Sequence, residues 1–448
     1  MLGAMNAFVA PPREAHVIAV QPQWHVSDYL LRTRFEAWMR AQLELARPHL
    51  APGKPNLVVL TELNGLPLLL GGAFLASRAP TLTAAIALAL LKHLPSVLYL
   101  SLREKVGPVR GLHLALSART ARVYLETCRN LAREYGVYLA CGTAPLPHFT
   151  VKDGNLVALG GQVYNEAVLL GPRGELIGVA DKVYLTSAEG KEGVDLSPGA
   201  LSDLRVFPTP VGDLGVAISL DAFKPDLIAH LEARGATVLL QPDANGAPWT
   251  AREQEPPSGR DQPLAWLDSA WAAVRNSSTL RYAVNPMVVG NLFDVPFDGQ
   301  SAIVARPEEA PQERGYAMAD PRPGFLELMP WVAQGSNAEL RQLGRDLAPK
   351  SGSPRENAYR TGVLAADLHL PPPSAAPAPL RPHEQALNDF MTGKAGLQAQ
   401  APLRILGVAW PAAWVSLTVL GIRQLRRGRK RGAALLLVGA VMTALTLG

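Results

Sequence analysis

Three polar residues stand at or just past the ends of apolar runs: Glu62 in VVLTELNG, Lys182 in GVADKVYL and Ser219 in GVAISLDAF. A carboxylate can take and return a proton. An ammonium can hold a developing negative charge, and a deprotonated hydroxyl can attack a carbonyl carbon. Together these are the parts of an acyl-transfer reaction. The hydroxyl is the weak part, because serine yields almost no alkoxide at neutral pH and needs a well-placed base, commonly a histidine. No histidine stands near the three motifs. Ser219 therefore reads either as a nucleophile or as a small filler, and Glu62 with Lys182 either as catalysts or as a structural ion pair, since buried charges need partners. Asp221 reads as a helix cap or a strand-end hydrogen-bonding group, and Trp249 as a loop aromatic.

These residues need elements to hold them. HVIAVQ (16–21), NLVVL (56–60), GVYLACG (136–142), ATVLLQP (236–242), SAIVA (301–305) and GVLAADL (362–368) read as strands. Residues 28–47, 118–135, 225–234 and 264–280 read as helices. Two hairpins lead into Lys182 and Ser219. The alternation predicts an α/β layered fold with both sheet faces covered, and open sheets of this kind place their chemistry at strand ends. Residues 66–117 break the rhythm. Between 82 and 102 the only charge is Lys92, a length sufficient to span a bilayer. Because the flanking strands belong to one domain, this stretch is expected to be an apolar helical insertion that packs on the domain or lies at a membrane surface.

The motifs resemble those of the carbon–nitrogen hydrolase (nitrilase) superfamily. LVVLTE is similar to its strand leading to a glutamate, YNEAVLLGPRGELIGVADKVYL to its hairpin leading to a lysine, and LSPG with TPVGDLGVAISLDAFKPD to its run into the nucleophile. RGATVLLQPDAN and RYAVNPMVVGN are similar to its later strands. The resemblance implies a four-layer α-β-β-α sandwich over 14–370, with 66–117 inserted. It implies Glu62 as base, Lys182 as oxyanion stabiliser, and a second glutamate for which Glu192 fits the offset and Glu189 is the alternative. No metal or organic cofactor is implied, and a homodimer is expected. One departure is decisive: the family's cysteine is here Ser219, followed by Leu220 instead of an aromatic. Two functions stay open. One is a catalytically lapsed domain that binds an amide- or acyl-bearing small molecule or a partner. The other is an amidase or acyltransferase on a non-peptide C–N bond or acyl group, with Ser219 as nucleophile.

The 448 residues are 48% hydrophobic, enough for a large core. The formal net charge is +5, yet the cluster from Arg423 to Arg431 alone holds six positive charges, so no basic face is expected and nucleic acid is not an expected partner. Cys128 and Cys141 read as buried small hydrophobes. After 370 the composition changes. Residues 371–402 read as a Pro/Ala-rich linker and 403–448 as an apolar helical hairpin around the basic cluster, associated with membrane lipid. The side of the membrane is open. The cytoplasmic face is favoured for the domain, because the first residues lack the pattern of an export signal.

Overall fold

The computed structural model describes residues 12–24, 31–247, 262–316, 319–329 and 361–397, with five isolated positions between 416 and 423. Twelve strands form two six-stranded sheets. In chain order they are β1 (Arg13–Gln21), β2 (Asn56–Val59), β3 (Tyr138–Leu146), β4 (Tyr164–Leu170), β5 (Leu176–Asp181), β6 (Phe207–Thr209), β7 (Gly212–Val216), β8 (Val238–Leu240), β9 (Tyr282–Asn285), β10 (Ala302–Ala305), β11 (Phe325–Leu328) and β12 (Gly362–Leu370). The first sheet runs β12-β1-β2-β3-β4-β5 and the second β6-β7-β8-β9-β10-β11. Each has the same pairing pattern. An antiparallel edge strand comes first, then three mutually parallel strands, then two antiparallel ones. The sequence offers no visible repeat, but the two sheets are built to one plan.

Alternation along the strands divides the core. Val17, Ala19, Leu57, Val59, Ala167 and Leu169 face inward and share one apolar cluster with Leu214, Val216, Val238 and Leu240 of the second sheet. Leu227 and Leu231 of α5 (Pro225–Glu232) and Leu267 and Val274 of α6 (262–276) complete that cluster. Ile18, Val20, Val58, Val168 and Leu170 face outward. They pack with Phe35 and Met39 of α1 (Arg32–Ala46) and with Tyr124 and Leu125 of α4 (Pro108–Tyr135). The layers are therefore helix, sheet, sheet, helix, the mixed α/β sandwich expected. Cys128 and Cys141 are free and buried, as small hydrophobes.

The insertion is helical. α2 (Leu82–Lys92) and α3 (Leu94–Glu104) bend by 90° at their junction and lead into α4, whose 28 residues absorb the helix expected at 118–135. Ala85, Ala89, Val97, Leu112 and Leu116 join the outer core. Gly111 makes the α3–α4 contact possible, since a Cβ there would lie 2.3 Å from Ser101 Oγ. Leu98 and Leu102 stay exposed at 52% and 79%. Among the described residues no single helix is long and apolar enough to cross a membrane; only the bent α2–α3 pair passes by length and composition.

The stretch expected to be a linker is partly strapped to the domain. Ser374 N–H donates to Asp213 Oδ2 at 2.9 Å, and Arg13 Nε donates to Pro371 O at 2.8 Å. α7 (Pro382–Met391) then buries His383, Glu384, Ala386, Leu387, Phe390 and Met391. Its polar residues are buried because they are bonded, which a polarity pattern does not reveal. The apolar hairpin expected over 403–448 lies outside the described residues apart from the five isolated positions.

Candidate functional site

Glu62 sits in the turn after β2. This turn approaches β3 so closely that a Cβ on Gly142 would lie 1.8 Å from Thr61 O; glycine, at φ +74°, also suits the left-handed backbone there. Leu63 N–H donates to Thr143 Oγ1 at 2.7 Å, and Asn64 Nδ2 to Cys141 O at 3.1 Å. Lys182 follows β5 directly, its N–H on Asn165 O at 2.9 Å. Ser219 stands at the elbow between β7 and the short helical turn Ser219–Phe223, at φ 51°. A left-handed serine is uncommon, and such backbone strain persists where the surroundings over-determine it, often at active sites.

The three elements converge. Asp221 carboxylate oxygens accept from Ile218, Val183 and Tyr184 N–H at 3.2, 3.2 and 2.7 Å, tying the serine elbow to the segment after Lys182. This is the strand-end hydrogen-bonding role read for Asp221. Ser219 N–H donates to Pro242 O at 3.1 Å, and two residues on Ala244 N–H donates to Glu62 Oε2 at 3.1 Å. Lys182 Nζ donates to Glu62 Oε1 at 2.8 Å.

Glu192 does not join them. It is exposed, and Glu189 is the second carboxylate, accepting from Lys182 Nζ at 2.6 Å. The chain after 186 forms tight turns, with Glu189 and Gly190 N–H both on Thr186 O. That winding brings 189 back to the lysine and leaves 192 outside, so counting offsets along an extended chain fails there. The insertion holds this loop: Arg110 donates to Asp195 Oδ1 at 2.7 Å and to Leu196 O at 3.1 Å, and the His113 ring bonds Val194 O at 2.9 Å.

Two residues that the sequence reading did not single out complete the site. Asn165 Nδ2 donates to Glu62 Oε1 at 2.8 Å and to Glu189 Oε1 at 2.9 Å, bridging the two acids. Its signal was present in YNEAV, directly ahead of the lysine hairpin. Asp243, in QPDAN, is wholly buried and accepts at Oδ2 from Gln241 Nε2 at 2.9 Å and from Asn285 Nδ2. Trp249 lies outside the described residues.

The charges are strongly coupled. Burial pushes Glu62 up to about 7, against the pull of Lys182. Burial opposes the Lys182 charge as well, but Glu62 and Glu189 outweigh it and hold the ammonium above its ordinary range. Burial likewise opposes ionisation of Glu189, but Lys182 and hydrogen bonds from Thr186 and Asn165 bring its pKa below the usual value. Asp243 is raised well above a normal carboxyl by burial and by Glu62. One firm cation thus faces one firm anion and one acid poised to exchange a proton near neutral pH, the division of labour general acid–base catalysis needs.

Away from this site, ligand atoms of His148, Glu166 and His383 lie within 4.8 Å of one another. The hydrogen bonds argue against a metal there. Phe149 N–H donates to His383 Nδ1 at 2.9 Å, so Nε2 carries the ring proton and donates it to Glu166 Oε2 at 2.6 Å. Metal on Nε2 would require an imidazolate.

Parts of the chain are similar to known proteins. Residues 110–262 match the model of the carbon-nitrogen hydrolase family. The chain is 35% identical over 123 residues to a nitrilase from Pyrococcus abyssi, covering 28% of this chain and 40% of the relative. It is 31% identical over 146 residues to human deaminated glutathione amidase, covering 31% of this chain and 42% of that protein. The matches therefore span about two fifths of these relatives. Among solved structures, Saccharomyces cerevisiae Nit3, of the nitrilase superfamily, aligns over 85% of this chain and 94% of its own at 16% identity and a TM-score of 0.44. Residues 110–262 are thus similar to the carbon-nitrogen hydrolase family, and the relatives matched include a nitrilase and a deaminated glutathione amidase.

Proposed function

We propose that this chain is a serine-dependent carbon–nitrogen hydrolase, an amidase or acyltransferase acting on a non-peptide amide or acyl group. One observation carries the reading. Lys182 is clamped between Glu62 and Glu189 at the strand ends from which a left-handed Ser219 projects. Burying three charges and straining a serine costs stability, and a site freed from catalysis has no reason to keep either. In the proposed reaction Ser219 Oγ attacks the carbonyl carbon, the Lys182 ammonium stabilises the oxyanion, and Glu62 activates the water that releases the acyl group. Glu189 and Asn165 hold the lysine and Glu62 in place.

The test is a covalent adduct. Incubation with an activated acyl ester should add one acyl mass to the native protein, mapped to Ser219, and none to Ser219→Ala. A Ser219→Cys variant that reacts where the native protein does not would instead support the lapsed, ligand-binding reading.

We further propose that residues 403–448 hold the domain at a membrane, on its cytoplasmic face, and that the domain pairs with a second copy. The two apolar runs around a basic cluster support membrane contact. Truncation after 397, which keeps α7, should abolish flotation with anionic vesicles. Flotation of the truncated protein would assign contact to the insertion, with its exposed Leu98 and Leu102.

A further inference from the structure

The two sheets follow one plan, so equivalent positions can be compared. β2 and β8 are each the middle of three parallel strands. Their exits match: Leu60 N–H donates to Ala140 O and Gln241 N–H to Val284 O, both at 2.9 Å. Three residues past the end of β2 comes Glu62, and three past the end of β8 comes Asp243. Each sheet therefore delivers one buried carboxyl group to the same polar cluster from the same place in its topology.

The oxygens of these two acids differ in what they are free to do. Glu62 Oε1 accepts from Lys182 and Asn165, and Oε2 from Ala244 N–H. Asp243 Oδ2 accepts from Gln241 and Asn285, but Oδ1 has no hydrogen-bond partner. A buried carboxyl oxygen left unpaired is costly and calls for an explanation. Ser219 supplies one. Its N–H is on the carbonyl of Pro242, the residue before Asp243, and its hydroxyl is among the groups that favour the charged form of Asp243. Hydroxyl and Oδ1 do not form a hydrogen bond of ordinary geometry, as is common for catalytic pairs before substrate binds.

We propose that Asp243 is the general base for Ser219, a catalytic residue delivered by the second sheet as Glu62 is by the first. The proposal rests on the serine-dependent reading above. The Ser219 Oγ proton passes to Asp243 Oδ1 as the Oγ–C bond forms, and the carbonyl π pair moves to oxygen opposite Lys182. Collapse breaks the C–N bond, and the leaving nitrogen takes the proton from Asp243. Water then attacks the acyl-serine, giving a proton to Glu62, and Ser219 Oγ takes that proton back from Glu62 as the carboxylic acid departs. Cysteine would not need this partner, because a thiol ionises far more readily; serine needs an acceptor that holds its proton tightly. Burial and the Glu62 charge make Asp243 such an acceptor, with Tyr316 the other titratable group under its influence.

The experiment compares acylation by p-nitrophenyl acetate, followed by nitrophenol release and intact mass. The variants are native protein, Asp243→Asn, Ser219→Cys and the double variant. Asp243→Asn should slow Ser219 acylation by about 100-fold or more and flatten its rise with pH, while the same substitution in the cysteine background should cost less than about tenfold. Asp243→Asn acylating within about threefold of native, with the same pH profile, overturns the proposal and leaves the serine reading standing. Native protein that does not acylate overturns both. Should Asp243→Asn fail to fold, the native and Ser219→Cys pH profiles decide: alkaline limbs with different midpoints, the cysteine one following its own thiol, support the proposal, and superimposable profiles overturn it.

Discussion

Asn165 and Glu166 are neighbours on β4, and their side chains leave the sheet on opposite faces, each into a buried polar cluster. Asn165 bridges Glu62 and Glu189 on the inner face. On the outer face Glu166 accepts from His383 of α7, whose ring stacks on His148 with centroids 4.4 Å apart. Glu384 of the same helix accepts from Val179 N–H at 3.1 Å and pairs with Arg205. The outer cluster joins segments: each acid meets a donor from a different element, so it fastens α7 to the sheet. The inner cluster gathers Glu62, Glu189 and Asp221 around the single lysine, with Asp243 in reach of Glu62. Three of the non-glycine residues with left-handed backbone, Leu63, Asp195 and Ser219, lie in the segments that build it. Polar burial by itself does not mark function. Excess charge of one sign and backbone strain together do.

Substituting each cluster's central donor should separate them. Lys182→Met leaves two buried carboxylates without their cation. Breaking a buried pair costs about 3–5 kcal/mol, and loss of the oxyanion stabiliser should lower acylation by about 10²–10³-fold. Chemical denaturation and acylation kinetics measure both. His383→Ala should cost about 1–3 kcal/mol by orphaning Glu166. Acylation should stay at the native rate, while proteolysis within 371–397 accelerates. Loss of acylation in His383→Ala would mean the two faces are coupled and the comparison fails.

The inner cluster also carries a pH signature. The Glu62 pKa is raised by burial from its ordinary 4.5 to about 7, so the folded state holds this proton more tightly than the unfolded chain. Its contribution favours folding at low pH and is lost as pH rises from about 4.5 to about 7, the reverse of a salt-bridged carboxylate with a lowered pKa. Glu62→Gln should remove that slope. Thermal unfolding midpoints at pH 5 and pH 8 should differ less than in the native protein, with the variant no less stable at pH 8, while turnover is lost. A variant that is destabilised equally at both pH values would assign Glu62 a structural role.

The main strands and the trio at 62, 182 and 219 were legible because each of the three follows a short apolar run, and runs of that kind end at the edge of a sheet. What escaped was whatever depended on how loops close. His383 and Glu384 looked like linker polarity because nothing local shows that Glu166 and Val179 await them across the sheet. Asp243 was hidden in QPDAN because its meaning comes from matching two strands that begin at Asn56 and Val238, a match visible only once both sheets are drawn. The insertion was expected to pack on the domain or lie at a membrane surface, but its apolar pattern did not show that Arg110 and His113 at its end clamp the Glu189 loop.

That loop supplies the smallest effect and the finest discrimination. Glu189 and Glu192 are three residues apart and chemically identical, and only the turn at Thr186 separates them. Glu189 Oε2 also accepts from Thr186 N–H and Oγ1, both at 3.0 Å, so the carboxylate that holds the lysine also closes its own turn. Glu189→Gln should therefore loosen the turn and free Lys182 to pair with Glu62 alone, lowering acylation at unchanged pH dependence of the serine step. Glu192→Gln touches solvent only and should change stability by less than about 0.5 kcal/mol, with acylation at the native rate. If the two variants behaved alike, the turn would not be wound as described, and the inner cluster would lose the anion that fixes its charge balance.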